Sequence, residues 1–153
     1  MNWFIELINN RLLITAVSSW AAAQILKVII YFIINKEFNI CRLFGDGGMP
    51  SGHSATVTSL AVVSALQYGF GSFEFAVTAV LAIIVCHDAM GVRLETGKQA
   101  ILLNELVKSF EVLSTRELPE VKLKEFVGHT PVQVLAGIAV GIVNAYIMYY
   151  IVF

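Results

Sequence analysis

From residue 131 to residue 153 the chain carries no Asp, Glu, Lys, Arg or His. A run of about 20 apolar residues is long enough, as an α-helix, to cross the hydrocarbon core of a bilayer. No water is available there for backbone N–H and C=O groups, so such a run must bond to itself as a helix or close into a barrel. The feature recurs along the chain. Residues 12–34 hold a single charge, Lys27, and residues 73–90 end in the polar pair His87 and Asp88. Residues 54–70 form a shorter run, bounded by Gly52 and Gly69 and rich in Ser, Thr and Ala. That composition predicts a helix packed against other helices rather than lipid, with a partly re-entrant segment as the alternative. The pattern reads as an all-α, polytopic membrane helix bundle with about four transmembrane helices, a single membrane domain over residues 1–153. Gly137 and Gly141 in the last run have the small-xxx-small spacing that permits close helix approach and could support a homodimer.

Composition agrees. Of 153 residues, 58% are hydrophobic and 14% charged, against about 45–50% and about 25% in soluble domains. Mean hydropathy is +0.77. The net charge of −1 leaves no basic field for nucleic acid. Cys41 and Cys86 match no metal-ligand spacing and read as reduced packing residues. Residues 1–11 contain Glu6 and Arg11 with no small-residue cleavage site after them, and do not read as a secretory signal. They read instead as a surface helix anchored by Trp3 and Phe4.

Between the runs lie two polar segments, residues 35–53 and 91–130. Within the second, residues 97–110 have the amphipathic rhythm of an interfacial helix, and residues 121–127 read as a further short helix. With four spans, one side of the membrane carries only Arg11. The other carries Lys36, Lys98, Lys108, Arg116, Lys122 and Lys124, besides Arg42 and Arg93. Basic residues collect in cytoplasmic loops. A multi-pass cell-membrane protein is expected, with both polar loops in the cytoplasm and both termini outside.

The chemistry concentrates in Gly47-Gly48-Met49-Pro50-Ser51-Gly52-His53-Ser54, where a polar loop enters a helix. Glycines allow close backbone approach to a ligand, and free N–H groups at a helix start suit a phosphate. Ser51 adds a hydroxyl, and His53 adds an imidazole, a side-chain type suited to proton transfer. The plainer reading is a glycine turn with a serine cap. Lys27 is a second signal, since a charge in the membrane is costly without a partner or an interface. It lies about ten residues from the loop, roughly 12–15 Å at 1.5 Å per residue, so snorkelling is the alternative to a phosphate contact. Gln24 lies on the same helix face.

Pro50-Ser51-Gly52-His53 resembles the central motif of the type 2 phosphatidic acid phosphatase superfamily, which includes lipid phosphate phosphatases and vanadium haloperoxidases. The wider pattern is similar to a divergent branch, the acid phosphatase/vanadium-dependent haloperoxidase-related family of small bacterial membrane proteins. The blocks that carry this are Gln24-x-x-Lys27, residues 47–54, Asp88-Ala89-Met90-Gly91-Val92-Arg93 with Gly97-Lys98-Gln99-Ala100, and Gly128-His129-Thr130-Pro131. The resemblance implies a membrane phosphatase without a cofactor or metal, in which one histidine attacks phosphorus and another protonates the leaving oxygen. Lys and Arg side chains would hold the phosphoryl oxygens.

Two of the superfamily's three motifs depart. Lys36 and Arg42 are one residue too close and Leu43 follows where the superfamily has proline; Arg93 follows Val92 rather than serine, and no histidine lies six residues after it. The chain's own residues can refill those roles. His129 precedes the last run on the same side as His53. Glu125, four residues earlier, could fix its tautomer; a plain helix-start histidine is the alternative. Asp88 could pair with Lys27 or Arg93, or orient a histidine. The expected site is thus catalytic His53, His129, Glu125 and Asp88, with Lys27, Gly48, Ser51, Gly52 and Arg93 holding the phosphate of a membrane lipid. A non-catalytic binder or transporter of anionic headgroups would use the same cradle. A Mg²⁺-dependent variant would use Asp46, Asp88 or Glu95.

The charge asymmetry yields a direct test of orientation. A cysteine at Lys98 or Lys122 should react with an impermeant maleimide only after intact cells are opened; labelling from outside reverses the topology.

Overall fold

The computed structural model describes residues 2–37, 48–113, 123 and 128–153. Helix α1 is Trp3–Ile8, α2 is Arg11–Asn35, α3 is Gly52–Tyr68, α4 is Phe73–Met90, α5 is Val92–Leu113 and α6 is Pro131–Ile147. A π-helical turn, Met148–Val152, extends α6. Among the described residues there is no strand. Three helices are long and apolar enough to cross a membrane: Arg11–Asn35, Phe73–Phe110 and Pro131–Val152. The protein is an all-α membrane helix bundle.

Local signals set the ends. Asn10, Ser51, Ser72 and Thr130 cap α2, α3, α4 and α6 with side-chain oxygens, satisfying N–H groups that have no partner within the helix. Pro131 occupies the first turn of α6, where its missing N–H costs nothing. Gly69, with φ of 86°, ends α3 and opens the tight turn to α4. α1 is exposed throughout, Trp3 and Phe4 included.

α3 is the axis of the bundle, with α2, α4 and α6 packed around it. Ser54, Ala55, Ser59, Ala61, Val63, Ser64 and Ala65 on α3 are all buried. Small side chains are needed because lipid supplies no hydrophobic drive between helices, and close contact must replace it. Ser19 on α2 donates to the Ala55 carbonyl at 3.1 Å. Asn144 on α6 donates to the Thr15 carbonyl and to Ser18 Oγ, at 3.3 and 2.9 Å. The outer faces present Ile25, Ile33, Ile83 and Leu135, all exposed.

The close approach expected of Gly137 and Gly141 occurs within the chain. A Cβ at Gly141 would stand 2.6 Å from the Ala55 carbonyl oxygen, and one at Gly137 would collide with the Ser51 carbonyl oxygen. The pair therefore seats α6 on α3, and a homodimer would need another face. The polar segment after α4 also differs from a loop leading to a separate interfacial helix. α5 starts at Val92, and only Gly91 interrupts the helical path from α4. Of the short helix read at 121–127 only Leu123 is described, its backbone bonded to the Asn104 side chain of α5 at 3.0 and 3.1 Å; the rest lies outside the described residues.

Gly137→Ala should lower the thermal midpoint in detergent, although alanine favours helix by about 1 kcal/mol. Overpacking against a backbone oxygen costs about 1–3 kcal/mol. Gly71→Ala, where nothing lies within 4 Å of the added methyl, should change little.

Candidate functional site

At one end of the bundle the N-termini of α3 and α6 meet the junction of α4 and α5. The Ser51 N–H donates to the Gln133 carbonyl at 3.0 Å, which ties α3 to α6. The His129 N–H donates to the Ala89 carbonyl at 3.0 Å, which ties α6 to the end of α4. Gly128, with φ of +91°, turns so tightly over Arg93 and Leu94 that any Cβ would collide with their backbone. These three contacts carry His129 to a fixed place beside the start of α3.

The rings of His53 and His129 stand 6.2 Å apart, centroid to centroid, inclined at 59°. Their settings differ. His129 is 3% exposed, whereas His53 is open to solvent. Lys27 is buried beneath the loop, with its Cγ and Cδ each 3.5 Å from where a Cβ of Gly48 would stand. The aliphatic stem thus fills the space beside a glycine at φ +98°. Snorkelling into open solvent does not describe this lysine. Gln24 and Trp20 line Gly52 from the same helix, and Gln24 Oε1 is buried without a partner among the described residues.

The charges around His129 follow from the same packing. Burial pushes the His129 imidazole below the usual histidine value of 6.5. A hydrogen bond to Gln133 works against that shift, and the positive charges of Lys27, His53 and Arg93 add to it. Lys27, His53 and Arg93 all act at one imidazole, although they come from α2, α3 and α5. Two helix N-termini add their positive dipole ends. The donor set suits an anion with several oxygens.

Ser51 has a more structural place than a simple ligand hydroxyl. It is fully buried, and its Oγ accepts from the Ser54 N–H at 3.3 Å and the Ser54 hydroxyl at 3.0 Å. Asp88 accepts from Arg93 Nε at 2.9 Å, with both side chains about half exposed. They are five residues apart, so the pair exists because the helix breaks at Gly91. Asp88 thereby steadies Arg93 rather than a histidine. Glu125 lies outside the described residues. His87 sits on the exposed side of α4.

Gln133 was not among the residues singled out. Its Oε1 lies 3.1 Å from His129 Nδ1 and accepts from the Thr130 N–H at 3.2 Å. The signal was in the spacing. The superfamily's third motif ends in a histidine followed, after three residues, by Asp, and Gln133 has that separation from His129.

The model of the Divergent PAP2 family matches residues 8–144. The chain belongs to the Divergent PAP2 family. An uncharacterized membrane protein of Bacillus subtilis (strain 168), YuiD, is 38% identical over 154 residues, covering 95% of this chain and 98% of that protein. No solved structure matches the chain. The family match runs from before α2 into the last turn of α6.

Orthovanadate, a phosphate analogue, provides a binding test. Lys27→Met should weaken its binding by about tenfold or more, the scale of one charge-assisted contact. Lys98→Met should not, because Lys98 is exposed and paired with Glu95 at 2.7 Å. Calorimetry on the detergent-solubilised protein reads both.

Proposed function

We propose that this protein is an integral membrane phosphatase that hydrolyses a lipid phosphate or diphosphate monoester without a metal. One observation carries the reading: a buried and an exposed histidine 6.2 Å apart, within the field of Lys27 and Arg93. Membership of the Divergent PAP2 family supports it. The site loops face the cytoplasm, so the substrate is a lipid of the inner leaflet whose phosphate lies at the interface.

The chemistry divides between the two imidazoles. Neutral His129 attacks phosphorus, forming a P–N bond as the ester P–O bond breaks. His53, on the solvent side, gives its proton to the leaving oxygen. Lys27, Arg93 and the N–H groups at the start of α3 hold the phosphoryl oxygens as charge spreads over them. Water then enters, His53 takes its proton, and attack on phosphorus breaks the P–N bond and releases inorganic phosphate.

A second reading, a non-catalytic binder of anionic lipid headgroups, is favoured by one feature. Asp88 and Ser51 are both already engaged in contacts within the chain. Phosphate release separates the two. Purified protein should release phosphate from phosphatidic acid, phosphatidylglycerol phosphate or polyprenyl diphosphate, with little effect of EDTA and with inhibition by vanadate. His129→Ala should remove nearly all turnover. His53→Ala should lower kcat by roughly 10²–10⁴, the range of general-acid catalysis. Activity should persist as pH drops below 6.5 and fall only at more acid pH, because His129 must be neutral to attack and burial among cations keeps it neutral below that value. No release from any of these lipids makes the protein a binder, and loss on chelation restored by Mg²⁺ makes it a metal enzyme.

A further inference from the structure

We propose that Gln133 is a positioning residue whose carboxamide locks His129 in the Nδ1–H tautomer and presents Nε2 as its reactive nitrogen. Two contacts on one atom carry this. Gln133 Oε1 lies 3.2 Å from the Thr130 N–H, which can only donate. The amide atom at that point is therefore oxygen, which can only accept. The same atom lies 3.1 Å from His129 Nδ1, so Nδ1 must supply the hydrogen. A neutral imidazole carries one N–H, and Nε2 is left with its lone pair.

The carboxamide cannot easily turn away. Thr130 Oγ1 accepts from the Gln133 N–H at 3.4 Å, completing a reciprocal capping box at the start of α6. The His129 backbone is held by Ala89. Ring and amide thus both stand on anchored backbone, and the lock needs no mobile loop. Free imidazole favours the other tautomer, with hydrogen on Nε2, so the protein has to enforce this one.

Gln133 is also neutral. The groups acting on His129 from neighbouring elements are Lys27 of α2, His53 of α3 and Arg93 of α5, each opposing a proton on the ring. Asp88, at the end of α4, is engaged with Arg93. An amide orients the ring without adding the negative charge that would draw a second proton onto it. The site can then keep a neutral nucleophile among cations.

This inference rests on the phosphatase reading only for the use made of Nε2, and its test does not need a substrate. Full-length protein labelled with ¹⁵N-histidine in lipid nanodiscs is observed by NMR, with His129 assigned by its loss in His129→Ala. Wild type should show a protonated Nδ1 and a bare Nε2 above the titration of the ring. Gln133→Leu should move the hydrogen to Nε2 and lower turnover by about 10²-fold or more, since a wrong tautomer costs about 10⁴ in a Ser-His-Asp site. Thr130→Val removes only the Oγ1 half of the box and keeps the residue-130 N–H that fixes the amide oxygen, so it should leave the tautomer unchanged, which separates orientation from helix capping. Gln133→Glu retains both acceptor and capping box. It should keep Nδ1–H, raise the proton affinity of the ring, and move the acid limb of kcat/KM toward alkaline pH by about one pH unit or more. If Gln133→Leu does not fold, the Glu and Val variants decide alone. The proposal is overturned if wild-type His129 carries Nε2–H, if Gln133→Leu keeps Nδ1–H, if Thr130→Val switches the tautomer, or if Gln133→Glu moves neither the titration of the ring nor the acid limb. Nδ1–H in wild type without phosphate release from any lipid supports the lock and rejects the phosphatase.

Discussion

The seam between α3 and α6 positions everything at the mouth of the bundle. Gly137 and Gly141 bring the α6 backbone onto the carbonyls of Ser51 and Ala55. At the top of that seam the Ser51 N–H reaches the Gln133 carbonyl. One helix start thereby carries His53 and the other carries His129, and the spacing of the two rings follows from the spacing of the two backbones. In hydrocarbon this seam cannot rest on the hydrophobic effect. It rests on close dispersion contacts, while small hydroxyls such as Ser19 of α2 bond to α3 from its other side. A methyl group added at the seam is therefore felt at the histidines about two turns away.

Lys27 shows how the bundle tolerates a charge on a membrane helix. An unpartnered ammonium in the bilayer costs several kcal/mol. Here the stem lies against Gly48 and the whole residue is buried. Glycine at that position leaves room for the methylenes, so the loop closes over the lysine instead of displacing it. The same arrangement raises the positive potential around His129, and a phosphate group entering the mouth would relieve it. In the proposed function, structural cost and anion affinity are two aspects of one placement.

Much of the fold was legible because membrane helices are written in length and polarity. The uncharged stretch at 131–153 and the nearly uncharged one at 12–34 could form little else. Burial of α3 was legible in its Ser, Thr and Ala content, since a lipid-facing helix would carry larger apolar residues. The partner of Gly137 and Gly141 was not. A stripe of small residues says that something approaches closely, and says nothing of whether that is another helix or another copy. The pairing of Asp88 with Arg93 depends on a break at Gly91 that spacing alone does not determine. For the site, Pro50-Ser51-Gly52-His53 and Lys27 stood out because glycine, histidine and a lysine on an apolar helix are each costly unless used. Gln133 was hidden for the opposite reason. Glutamine at the third position of a capped helix is ordinary, and its contact with His129 exists only once the ring is placed.

The unequal burial of the two histidines gives the site its direction. A ring enclosed among cations sheds its proton readily, which is what an attacking nitrogen requires. A ring in contact with water can exchange protons quickly, which is what an acid that must become a base for the second step requires. Were both buried, the proton lost to the leaving oxygen could not return from solvent. Were both exposed, water would compete for the cations and weaken their hold on the phosphoryl group. The depth of His129 is set by the Gly128 turn over Arg93 and Leu94, and the openness of His53 by its place on the first turn of α3. In the proposed mechanism the difference in chemical role is thus imposed by backbone geometry on two identical side chains, and a sequence that kept both histidines but lost that turn would lose the division between them.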